Sequence, residues 1–99
     1  SIWINSINNS RKRWNGSNWY YYHAACKPWI KKIVENYPDV KKVGRILSLK
    51  FENILKIDID CSFDKELSIE KVHDLTSEIE HVIRLEIKNS VITIHPEPN

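Results

Sequence analysis

Among the 99 residues, the side chains best equipped to hold a cation or move a proton are four histidines, two cysteines and thirteen acids. The most compact grouping of these lies in the C-terminal run Val91-Ile92-Thr93-Ile94-His95-Pro96-Glu97-Pro98. In a strand the side chains alternate, so Thr93, His95 and Glu97 share the face opposite Ile92 and Ile94. Pro96 and Pro98 supply no backbone donor, which marks a strand that is ending or lies at an edge. An imidazole and a carboxylate are thereby set side by side at the rim of a sheet, a pairing suited to divalent cations.

The elements that must position this pair can be read upstream. Leu55, Ile57, Ile59 and Cys61 alternate strictly with Lys56, Asp58 and Asp60, which predicts a half-buried strand with Cys61 as a core thiol. Ser68 is placed to cap a helix whose apolar stripe is Ile69, Val72, Leu75, Ile79, Val82 and Ile83, running to about Glu86. His73 and His81 lie off the centre of that stripe. Lys88-Asn89-Ser90 then turns the chain into the final strand. A helical crossover joins parallel strands, usually neighbours, and brings their C-terminal ends together. Asp60 is therefore expected near His95 and Glu97, and these three form a candidate ligand set for Zn(II), Fe(II) or Mn(II). The same three residues also fit the ordinary polar face of a half-exposed sheet.

Further upstream, Trp29, Ile30, Ile33, Val34 and Tyr37 recur at helical spacing, with Pro28 suited to a first turn and Pro38-Asp39 as the stop. A strand is predicted over about Lys42 to Phe51, with Val43, Leu47, Leu49 and Phe51 mostly on one face. Glu52-Asn53 is the turn that folds it into a hairpin. The expected order is helix, strand, strand, helix, strand, an α+β two-layer sandwich with both helices on the apolar sheet face. The opposite face is expected to expose Ile46 and Val91, where a second copy of the chain has room to pack.

The length fits one domain, and no apolar run approaches the roughly 18 residues that cross a bilayer. No signal peptide is visible, and two cysteines outside any CxxC pair do not form a disulfide framework. The net charge of +2 is divided unevenly: residues 1–32 contain Arg11, Lys12, Arg13, Lys27, Lys31 and Lys32 and no acid. Residues 1–25, rich in Asn, Trp and Tyr, are read as a basic, aromatic arm or linker preceding a domain of residues 26–99. Such an arm suits an anionic inner leaflet, with Trp and Tyr at the interface. Trp14, Trp19 and Tyr20 to Tyr22 beside Arg11 to Arg13 would equally suit a ferredoxin-like module that binds nucleic acid or a small ligand. Catalysis is not expected, because no nucleophile, base and orienting group occur together. Only Gly16 and Gly44 are present, too few for a glycine-rich phosphate loop.

Several local runs together resemble the cytosolic C-terminal domain of cation diffusion facilitator transporters. They are Tyr37-Pro38-Asp39-Val40, Ser62-Phe63-Asp64, Leu67-Ser68-Ile69-Glu70-Lys71-Val72-His73 and Ile92-Thr93-Ile94-His95-Pro96-Glu97-Pro98. The resemblance covers about residues 26 to 99. It implies a ferredoxin-like, metallochaperone-like α-β-β-α-β fold that forms a homodimer on the cytoplasmic side of a membrane, joined to the membrane domain of the same transporter. It also implies regulation of efflux by Zn(II) or a similar ion bound near the dimer interface. By resemblance, His95 and Glu97 match the terminal-strand ligands, Asp60 falls where many members place a histidine, and His73 matches a second-helix histidine that joins some metal sites. Gly44-Arg45-Ile46-Leu47 stands where the family often has His-Asp-Leu-Arg, and Lys88-Asn89 where it has Pro-Gly.

Overall fold

The computed structural model describes residues 19–98, with side chains from Cys26 onward. The order is α1 (Trp19–Glu35), β1 (Val40–Phe51), β2 (Ile54–Phe63), α2 (Ile69–Glu86) and β3 (Ser90–Glu97). The predicted α+β arrangement is thus present. β2 is central, antiparallel to β1 and parallel to β3. Alternation along β2 buries Leu55, Ile57, Ile59, Cys61 and Phe63 on one face, and β3 adds Ile92 and Ile94. α1 contributes Cys26, Trp29, Ile30, Ile33 and Val34, while α2 contributes Leu75, Ile79 and Ile83, each set at helical spacing. Both helices therefore cover the same sheet face. Tyr37, just beyond α1, hydrogen-bonds Glu78 of α2; burial, then the Glu78 charge and this bond, raise its pKa.

Two local expectations are corrected. α1 begins at Trp19, so Pro28 sits inside the helix rather than in its first turn. A proline there removes one helical hydrogen bond and crowds the preceding turn, at a cost of about 3 kcal/mol. The helix continues because its buried residues run across the proline without a break, from Cys26 to Val34. The basic stretch Arg11 to Arg13 and Trp14 lie outside the described residues, as do the side chains of Trp19 and Tyr20 to Tyr22.

The second correction concerns β1. Val43 stands opposite Cys61 and Ile46 opposite Ile59, so Gly44 and Arg45 occupy the length that Asp60 alone takes on β2. This is a β-bulge, and it reverses which residues face inward beyond it. Val43 is buried, but Leu47, Leu49 and Phe51, which sequence parity places with it, lie on the opposite face. Ile46, expected on the open face, packs against the core instead. Glycine suits the bulge because a Cβ on Gly44 would stand only 3.3 Å from the Asp60 carbonyl oxygen.

β3 is an edge strand, and two of its outward backbone positions are accounted for. Leu55 donates its N–H to Asn89 at 2.9 Å, which sets the phase of the parallel ladder and turns the Ile94 N–H away from β2. That N–H is taken by Glu80 Oε2 of α2 at 2.9 Å. Pro96, next on the outer side, has no N–H to offer. A helix carboxylate and a proline thus deal with two successive outward donor positions of this edge.

Candidate functional site

The helix-free face is ordered in rows by the strand register. At the hairpin tip Phe51 pairs with Ile54; the next row is Leu49, Lys56 and Val91, and the third is Leu47, Asp58 and Thr93. Beyond them Asp60 pairs with His95 and Ser62 with Glu97. The parallel crossover thus places Asp60, His95 and Glu97 on one face at adjacent positions, as their spacing predicts. His73 is elsewhere, exposed on α2, which covers the other face; its carbonyl accepts a hydrogen bond from Thr76.

Side-chain geometry divides the candidate set. His95 Nε2 reaches diagonally to Asp58 Oδ1 at 3.5 Å, rather than to its row partner Asp60. Asp58 also lies 3.9 Å from Lys56 Nζ. Asp60 is 3.6 Å from Arg45, the residue that the bulge turns toward it. These pairs are exposed enough that each contributes little to stability. Asp60 and Glu97, with Lys42, Gly44, Arg45 and Ser62, line a recess of about 240 Å³. The Ser62 hydroxyl is buried there and has no hydrogen-bond partner. Among the described residues no three histidine, cysteine or acidic side chains gather closely enough to hold an ion within one copy.

Asp58 and Arg45 are the residues that sequence reasoning passed over. Asp58 was legible in principle, because diagonal neighbours in a sheet are within reach of a long or ring-bearing side chain. Arg45 was not, since its position depends on the bulge. Below the strand ends, Asp64 accepts the Glu66 N–H at 2.9 Å and faces Lys41 at 3.6 Å. The backbone bond, aided by Lys41, holds its carboxyl below the usual value of 3.8. Cys26 and Cys61 are free and buried, and neither contributes a thiolate to the open face. Burial pushes both thiols up to about 11, with the Asp60 and Glu97 charges adding to the effect at Cys61.

Residues 28–99 match the model of the family described as cation efflux protein, cytoplasmic domain. The chain belongs to that family. Among solved structures, the cation efflux domain is similar to the metal-bound C-terminal domain of the CzcD transporter from Thermotoga maritima. The two share 26% identity with a TM-score of 0.65, over 70% of this chain and 81% of the other. The cytosolic domain of a cation diffusion facilitator family protein superposes with a TM-score of 0.70 at 23% identity, covering 79% of this chain and 94% of that one. A cadmium form of the MamM C-terminal domain gives 0.69 at 16% identity, over 79% and 98% of the chains. The last two show the shared fold alone. No curated protein matches by sequence. The family is a cytoplasmic part of a membrane transporter and is not catalytic; no helix among the described residues is long and apolar enough to cross a membrane.

Proposed function

We propose that this cation efflux domain senses cytosolic Zn(II) or a similar divalent ion by dimerising around it, and passes that state to an attached membrane domain. The observation that supports the reading is the open face: Asp58, Asp60, His95 and Glu97 lie in consecutive rows, unshielded by either helix. One imidazole with carboxylates suits Zn(II), and also Fe(II) or Mn(II). A single copy offers an incomplete ligand set, so a second copy facing it would complete the shell. An ion bound only by the paired form draws the population toward that form. In this reading Asp60, His95 and Glu97 are the ligands, and Asp58 orients the His95 ring through its other edge. His73 would serve only a cation held against the outer surface of α2.

Sedimentation of the metal-stripped chain, with and without Zn(II), tests the proposal alongside His95→Ala. Zinc should tighten self-association of the parent at least tenfold, and the substitution should remove that response. Identical sedimentation in all these conditions would leave the face without a sensing role.

A further inference from the structure

We infer that the hairpin end of the open face is a docking surface for an anionic bilayer, separate from the acidic half that carries the candidate ligands. Leu49 is 52%, Phe51 74%, Ile54 42% and Val91 48% exposed, and the strand register places them in two adjoining rows. Together they expose roughly 400 Å² of apolar surface, the size of the largest patch on a typical soluble domain, which is often functional.

Two observations select the occupant. The first is charge. Lys56 stands in the middle of the patch, between Leu49 and Val91. Lys88 is exposed in the α2–β3 turn, which the Leu55–Asn89 hydrogen bond fixes beside the hairpin. Against these bases stand two acids: Glu52 in the hairpin turn and Asp58, 3.9 Å from Lys56 Nζ in the next row and only loosely paired with it. A second copy seated symmetrically on this patch would bring two Lys56 ammonium groups together in an apolar contact, which is unfavourable. Lipid headgroups instead take the ammonium at the surface while the apolar residues enter the acyl boundary.

The second observation is direction. α1 is joined to the start of β1 by a tight turn, with Val40 donating its N–H to Tyr37 at 3.0 Å. The helix and strand therefore run in opposite senses, and α1 starts at the end where β1 reaches the hairpin. The sequence that enters there is basic, with Arg11, Lys12 and Arg13 and no acid in residues 1–18. In a cytoplasmic domain of a membrane transporter, the hairpin end is thus the end whose charge suits an anionic leaflet. The inference rests on that family membership and not on the metal site.

The test is co-sedimentation of the full 99-residue chain with vesicles of phosphatidylcholine containing phosphatidylserine, in chelator, against vesicles of phosphatidylcholine alone. Parent protein should bind the anionic vesicles and release as salt is raised. Phe51→Asp should weaken binding roughly tenfold, and Lys56→Glu by several-fold. Ile69→Asp, at an exposed position on the first turn of α2 and away from the patch, should bind as the parent does. Circular dichroism of each variant confirms folding. Equal binding by Phe51→Asp would place any membrane affinity in the N-terminal sequence and overturn the inference, as would no binding by the parent. A Phe51→Asp variant that instead abolished self-association would make the patch a contact between copies, which also overturns it. Because chelator is present throughout, none of these outcomes bears on metal-dependent dimerisation.

Discussion

Replacing Glu80 with alanine removes the one side chain that satisfies the outward N–H of Ile94. The donor is partly buried against α2, and the acceptor is charged. Bonds of this kind contribute about 1.5–3 kcal/mol, and partial access of water to the vacated N–H brings the expected loss to about 1.5 kcal/mol. Two smaller effects oppose each other. Alanine is the better helix former by a few tenths of a kcal/mol. Glu80 also lies four residues before Arg84, a spacing that offers a similar amount. They nearly cancel, so the edge bond decides the sign. For a domain of this size a loss of about 1.5 kcal/mol lowers Tm by roughly 6–12 °C. Urea unfolding of the parent, Glu80→Ala and Glu80→Gln measures the effect with an unchanged slope. Glutamine keeps an acceptor without the charge and should recover about half of the loss. If Glu80→Ala unfolds at the parent midpoint, or if glutamine is as damaging as alanine, the carboxylate is not stabilising this edge position.

Three other predictions concern the core. Ile79 is fully buried between α2 and the sheet, so Ile79→Ala should cost about 2–5 kcal/mol in urea or thermal unfolding, more than any open-face substitution. The buried thiols Cys26 and Cys61, raised to about 11, should react slowly with a disulfide reagent at pH 8 until the chain unfolds. Their raised values also make unfolding release protons, so the contribution of the two thiols should be constant below about pH 9 and be lost between pH 9 and 11, with the raised Tyr37 acting in the same direction. A titration of unfolding midpoints over that range checks the sign.

Where the sequence is locally consistent, the fold could be read directly. The strict alternation of β2 and the Ser68 cap, whose hydroxyl accepts the Lys71 N–H at 3.1 Å, predict their elements closely. The crossover rule puts Asp60 beside His95, and the strand register agrees. The failures have a different origin. The bulge at Gly44 and Arg45 is a pairing property of two strands, and β1 alone contains no sign of it beyond one glycine. Parity counted along β1 therefore sent Leu47, Leu49 and Phe51 with Val43, and sent Ile46 the wrong way. Pro28 misled for a related reason, since a local cost of a few kcal/mol is outweighed by burial that only the assembled core supplies. At the site, backbone register was predictable from sequence, whereas the rotamer that swings His95 toward Asp58 was not.

The parallel pairing of β2 with β3 has a kinetic consequence. The β1–β2 hairpin closes through a two-residue turn, but β3 reaches β2 only after the whole of α2 intervenes. Long-range pairing of this kind forms slowly compared with a hairpin, because chain entropy must be lost before any contact is gained. Asp58 and Asp60 are thus in place on the early hairpin, while His95 and Glu97 arrive with the last strand. In the proposed site the two aspartates would exist before the imidazole does, and a cation that needs both would record that the chain has finished folding.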